Sequence, residues 1–219
     1  MDVNVGSPRR ILLNVDKRTA AEDVDRYAKL AVEFGASDAK VIAPSMVVID
    51  ERARMKCKVP RCRFWGQAYY CSSEAPSPDE MRNILPKYEY AIFIRCDVHP
   101  VEDYADRARS REMARGYSRK LADIIGKIEA LACHEGYYFA MGFGSGTCKS
   151  TFCLGQDCAV VSGYGCRFPL KARPSMEVTG MDAFKLAASV GWEIYPIGFD
   201  KVDPKDVPCA TTLGLVLIC

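Results

Sequence analysis

Seven of the eleven cysteines in this chain fall into two tight groups. Cys57, Cys62 and Cys71 form the first, and Cys148, Cys153, Cys158 and Cys166 form the second. Both stretches are rich in Gly, Ser, Pro and aromatic residues, so they read as loops. Thiolates grouped on loops provide the convergent soft ligands that a metal ion or an iron–sulfur cluster needs. The grouping predicts that the protein binds metal, and it leaves open what the metal does.

The second group runs GFGSGTCKSTFCLGQDCAVVSGYGCRFP, with the spacing C-x4-C-x4-C-x7-C. Four thiolates are a full set for one 4Fe–4S cluster or one zinc ion. Zinc sites favour C-x2-C knuckles, and none occurs here. A cubane is wider than one ion and tolerates looser spacing, so the pattern favours iron–sulfur over zinc. The glycines would let backbone amides approach sulfide or thiolate closely. The same residues admit a phosphate-loop reading, because Gly142 to Ser150 ends in Lys-Ser. A phosphate loop needs Gly before that Lys, however, and Cys148 stands there with no helical pattern after it.

The first group runs KCKVPRCRFWGQAYYC, spaced C-x4-C-x8-C and flanked by Phe64, Trp65, Tyr69 and Tyr70. Three thiolates would leave one iron of a cubane open to solvent, substrate or a distant residue. An open position is the usual mark of a catalytic rather than a structural site. A distant cysteine could instead close the site, or both groups could share one metal. Two separate sites are the preferred reading.

Around these loops the chain alternates strands and helices. Ile11 to Val15 reads as a short buried strand. Thr19 opens a helix with Glu22 in a capping box, and Ala20, Val24, Tyr27, Ala28, Ala31 and Phe34 recur at helical spacing up to Gly35. Lys40 to Ile49 is β-rich, with Pro44 interrupting it. Ser77, Pro78 and Glu80 mark a second helix start. Tyr90 to Ile94 is a strong strand, and a long helical region follows from about Val101 to His134, kinked or divided at Gly116. Tyr137 to Phe143, Glu193 to Phe199 and Thr212 to Ile218 read as further strands, and Met181 to Val190 as a short helix. The expected fold is α/β or α+β: a single mixed-sheet sandwich spanning 1–219 as one domain, with two long cysteine-rich metal-binding loops. Loops of that length in a compact domain are usually functional.

Bulk properties narrow the function. A 219-residue chain that is 49% hydrophobic can bury a real core without disulfide staples. A net charge of +2 gives no mandate for nucleic acid. The N-terminus lacks the order of a signal peptide, and no apolar run reaches membrane-span length. A cytoplasmic protein with reduced thiols is expected. Arg107, Arg109, Arg111, Arg115, Arg119 and Lys120 interleave with Asp103, Asp106, Glu112 and Asp123, which reads as a solvated helix face. Cys96 and Cys133 read as core residues, Cys209 and Cys219 as free thiols, and neither His99 nor His134 as a ligand. Arg173 and Glu177, just past the second loop, read as part of a structural turn with an ion pair.

These residues resemble the predicted metal-binding family called domain of unknown function 2284, found in anaerobic bacteria and archaea. The resemblance rests on Lys56-Cys57, Cys62 and Cys71 through Pro78; on Leu85 to Ala91; on Glu129, Ala132, Gly136 to Ala140, Gly146 and Cys148; and on Cys166 to Pro169 with Ala172 to Phe184. It implies cysteine-ligated metal, iron–sulfur first, and a link to anaerobic metabolism, but no particular reaction. Cys71 is followed by Ser72-Ser73-Glu74 where the family tends to have Pro-Pro-His, so a carboxylate at Glu74 would replace that His.

The function expected from the sequence is therefore an iron–sulfur protein carrying one or two 4Fe–4S clusters, acting in electron transfer with a redox partner protein. The alternatives are an enzyme using an open iron at Cys57, Cys62 and Cys71, and a zinc-stabilised interaction module. No nucleic acid or membrane partner is expected.

Overall fold

A computed structural model describes residues 8–11, 15–195, 197 and 203–219. Its helices are α1 (Lys17–Glu33), α2 (Glu51–Met55), α3 (Pro78–Ile84), α4 (Glu102–Ala105), α5 (Arg107–His134), α6 (Cys148–Phe152) and α7 (Ala183–Ser189). Its strands are β1 (Asp38–Ile42), β2 (Ala91–Asp97), β3 (Met141–Phe143) and β4 (Thr211–Leu217). The sheet order is β1-β2-β4-β3. All three pairings are antiparallel, with Phe93 opposite Leu215 at the centre, rather than mixed. The fold class is therefore α+β.

The central strands are buried on both faces, which is why they read as continuous apolar runs rather than alternating ones. Ile92, Ile94, Cys96, Val216 and Ile218 face a cluster built with Val24, Tyr27 and Ala31 of α1 and Leu121, Ile124, Ile125 and Ile128 of α5. Ala91, Phe93, Leu213, Leu215 and Leu217 face a second cluster containing Met81 of α3 and Leu186 of α7. Trp192 closes that side, stacked on Phe93 at 4.8 Å and donating Nε1–H to Asp38 Oδ2 at 2.8 Å. The sheet thus lies between two helical layers.

Several expectations are refined. The first helix begins at Lys17, and its cap is Asp16, whose carboxylate accepts from Arg18 N and Thr19 N, rather than Thr19 with Glu22. The Ser77 cap, Pro78 and the reciprocal Glu80 bond are all present. The long helical region breaks at Asp106, and Gly116 lies inside the continuous α5. β3 covers only the last three residues of the expected 137–143 strand, because Tyr137 to Ala140 form a turn. Residues 193–195 are not strand, and the rest of that expected strand lies largely outside the described residues, as do residues 12–14 of the expected first strand. No helix among the described residues is long and apolar enough to cross a membrane.

The helix α5 is the platform for the second cysteine loop. Arg173 makes two charge-assisted bonds to Glu129 of α5, Nε to Oε2 at 2.7 Å and Nη2 to Oε1 at 2.8 Å. The expected turn is therefore held by an ion pair with Glu129 and not with Glu177. Lys171 pairs with Asp123 at 2.7 Å, and Arg119 donates to the Thr151 carbonyl at 3.1 Å. Gly126 lets the loop backbone come close: a Cβ there would lie 2.8 Å from the Leu170 carbonyl oxygen.

Candidate metal centre

The first loop starts where α2 ends. Cys57 N–H bonds to the Arg54 carbonyl at 3.0 Å, and Cys62 N–H closes back on the Cys57 carbonyl at 3.0 Å. Arg54 reaches across the loop and donates to the carbonyls of Ser72, Ser73, Ala75 and Pro76. One guanidinium, with its fixed fork of donors, thereby holds the segment after Cys71. At Gly66, whose φ is +84°, the chain turns back so that its N–H meets the Cys71 carbonyl at 2.6 Å. A residue with a Cβ would be strained in that conformation.

The second loop contains a short helix, α6. Thr147 caps it, its hydroxyl accepting from Lys149 N at 3.2 Å. This corrects the sequence reading that no helical pattern follows Cys148. Cys148 is the first residue of that helix and Cys153 follows its last. Phe168 N–H points at Cys166 Sγ at 3.4 Å, and Phe152 stacks on Phe168 at 5.3 Å. Cys148, Cys153, Cys158 and Cys166 together line one small cavity, walled by Ala68, Phe152, Ala159 and Phe168.

The two loops meet. Cys71 Sγ–H donates to Thr147 Oγ1 at 2.9 Å. Burial pushes the Cys158 thiol up, but backbone N–H groups of Val161, of Tyr69 in the first loop and of Val160 outweigh it, and the thiol falls below its ordinary value. Burial pushes Cys148 up to about 12, with further repulsion from Cys71, Cys158, Cys166 and Cys153. Cys148 is thus within electrostatic reach of thiols from both loops. Cys57 is pushed up to about 11, by burial first and then by Glu177, Cys62 and Cys71. All seven thiols are free, and Cys62 is the exposed one.

Among the described residues, no three His, Cys, Asp or Glu side chains are gathered at a spacing that would hold a single metal ion. The thiols surround a cavity instead of closing on one point. The donor set nevertheless fits a soft centre: it is all sulfur, it draws on both loops, and amide N–H groups already face two of the sulfurs.

Three relations escaped the sequence reading, although Lys149 and Glu177 were themselves among the residues it weighed. Thr147 joins the loops, and its position as a hydroxyl residue just before a short helix is the signal that could have marked it. Lys149 is buried inside the second loop, with Nζ donating to the Gln156 carbonyl. Glu177 sends its charge toward Cys57, and burial lifts its own carboxyl above the ordinary range. Glu74, by contrast, is exposed and accepts from Ser73 Oγ at 3.2 Å. Cys96 is buried as expected, but Cys133 is exposed, because it sits on the outer side of the last turn of α5.

A family model of predicted metal-binding proteins, DUF2284, matches residues 40–218. The chain belongs to that family. The match takes in both cysteine loops, all four strands of the sheet but the first two residues of β1, and the Ala172 to Phe184 stretch that carries Arg173 and Glu177. No curated protein and no solved structure matches the chain.

Proposed function

We propose that this DUF2284 protein carries an iron–sulfur centre in its cysteine loops and uses it for electron transfer. The observation that carries the reading is the cavity lined by Cys148, Cys153, Cys158 and Cys166, joined to the first loop through Cys71 and Thr147. Four thiols around one cavity are the number that one cubane takes. In this reading those four cysteines hold the centre, which would supply one-electron chemistry. The protein's part is to supply thiolates, to aim amide N–H groups of Tyr69, Val160, Val161 and Phe168 at sulfur, and to wall the site with apolar side chains. Donors to sulfur and a dry wall both tune the potential of such a centre.

A second reading concerns Cys57, Cys62 and Cys71. Three thiols with Cys62 exposed leave a position that a small molecule could reach, so this end is where an enzymatic role would sit.

Anaerobically purified protein assayed for iron, acid-labile sulfide and zinc tests the proposal. The expected result is brown protein with iron and sulfide in equal amounts. Colourless protein holding zinc without sulfide would overturn it in favour of a zinc-stabilised module.

A further inference from the structure

The first cysteine loop has an unusual charge pattern. From Arg52 to Ser73 the chain carries Arg52, Arg54, Lys56, Lys58, Arg61 and Arg63, and no Asp or Glu. Two of these cations have structural work. Arg52 pairs with Asp50 at 2.6 Å, and Arg54 clamps the carbonyls after Cys71. Lys56, Lys58, Arg61 and Arg63 are all exposed, and no carboxylate of the described residues pairs with any of them. Lys58 Nζ sits 5.3 Å from the Trp65 ring centroid, and the Arg63 guanidinium 4.5 Å from that of Phe64. These aromatic contacts hold cationic groups at the surface beside Cys57 and Cys62 without neutralising them.

The same loop carries an exposed apolar residue between its charges. Val59, between Lys58 and Arg61, is 63% exposed. Some cations elsewhere have carboxylate partners. Arg109 pairs with Asp103 and Lys171 with Asp123, and the chain as a whole is close to neutral at +2. Six cations in a run without a carboxylate, four of them unpaired and set about the exposed Val59, call for an anionic counterpart.

We infer that the collar of Lys56, Lys58, Arg61 and Arg63 around Val59 is the docking surface for an acidic electron-transfer protein. The inference rests on the redox reading above for the class of partner. A protein surface fits better than nucleic acid, because the cations ring one small loop instead of forming the stripe that tracks phosphates. A small, charge-steered contact is the form that weak redox encounters take. Docking there would set the partner against the loop that carries Cys57 and Cys62 and touches the second loop where Cys71 meets Thr147.

Binding is measured with a small, strongly acidic ferredoxin as probe, with a short DNA duplex and anionic phospholipid vesicles in parallel. Iron, sulfide and zinc are assayed on every sample. Wild-type protein is expected to bind the ferredoxin at low salt and to lose roughly tenfold in affinity as ionic strength rises to physiological values. The Lys58→Gln/Arg61→Gln variant is expected to weaken binding several-fold with its metal content unchanged. The Lys29→Gln/Lys205→Gln pair, with the same loss of charge at exposed sites elsewhere, is expected to leave it near wild type. Equal weakening by both pairs, no binding by metal-loaded wild type, or tighter binding of DNA or vesicles than of the ferredoxin would overturn the inference. Ferredoxin binding through the collar by protein that holds only zinc would uphold the docking surface and remove the redox reading.

Discussion

Cys71 Sγ lies 2.9 Å from Thr147 Oγ1, so the last thiol of one cysteine loop touches the residue that caps the first helical turn of the other. The two residues are 76 positions apart, and the contact makes one face of two loops. Thr147 serves both sides of that join, because its hydroxyl also accepts from Lys149 N.

Thr147→Val should therefore do two things. It should remove a cap, at about 1 kcal/mol, and it should release Cys71 from the second loop. The expected outcome is faster loss of metal to a chelator, with the circular dichroism of the layered core unchanged. Thr147→Ser, which keeps the hydroxyl, should retain metal like the wild type. Equal loss rates in the two variants would separate the contact from metal retention.

Two glycines of α5 make an internal comparison. A Cβ at Gly116 meets nothing within 4 Å, whereas a Cβ at Gly126 would lie 2.8 Å from the Leu170 carbonyl oxygen. Gly116→Ala should stabilise the protein by up to about 1 kcal/mol in thermal unfolding, the usual helix gain. Gly126→Ala should lose that gain and push the loop after Cys166 off the helix, which limited proteolysis near Leu170 would detect.

Lys149 is 9% exposed and has a carbonyl partner, that of Gln156, but no carboxylate partner among the described residues. A buried ammonium needs a counter-charge, and the thiolates of a loaded centre are placed to supply it, since Lys149 already acts on Cys158. Lys149→Met should shift the midpoint potential of an iron–sulfur centre to more negative values, because one cation near an anionic cluster is lost. Lys149→Arg should restore most of the shift. Redox titration followed by absorbance reads the result, and an unchanged potential would deny Lys149 that role.

Acid stability should hinge on Asp23, far from the cysteines. Its buried carboxylate accepts from Arg9 Nη1 at 2.5 Å, Arg26 Nη2 at 2.9 Å and Tyr137 OH at 2.8 Å. Burial alone would raise its pKa, but the bonds from Arg9, Arg26 and Tyr137 outweigh burial and hold it below the ordinary carboxylate range. A group depressed in the folded state stabilises the fold above its unfolded pKa of about 3.9 and loses that contribution as pH falls through the lower folded value. Asp23→Asn should destabilise at pH 7 by about 1–3 kcal/mol and by less below about pH 4. Urea midpoints across that range check the sign.

The regular elements were legible in the sequence where local chemistry decided them. The Ser77-Pro78-Glu80 start and the apolar runs Ala91–Ile94 and Leu213–Ile218 carry their structure in their own residues. The Thr19 start failed because Asp16, three residues earlier, offered a stronger carboxylate cap. The helix α6 was hidden because five residues show no periodicity. Tertiary relations were not legible at all. Nothing local to Arg173 selects Glu129 over the nearer Glu177, since that choice is made by the packing of the loop against α5. The seven cysteines could be grouped by spacing, but the meeting of the groups at Cys71 and Thr147 is a property of the fold.

That meeting also bears on how many centres there are. Cys62 is exposed, while Cys148 is half-buried and lies within electrostatic reach of Cys71, Cys153, Cys158 and Cys166. If the loops hold two centres, Cys62→Ser should remove about half the iron, leaving one four-thiolate cluster, and Cys148→Ser should remove the remainder-type signal and weaken the first centre too. The asymmetry follows from position, since Cys148 has thiols of both loops around it and Cys62 stands at the edge of one. Iron content and the low-temperature paramagnetic resonance signal of each reduced variant measure this. Full iron in Cys62→Ser would place that thiol outside the ligand set, and loss of all iron in Cys62→Ser would mean a single shared centre.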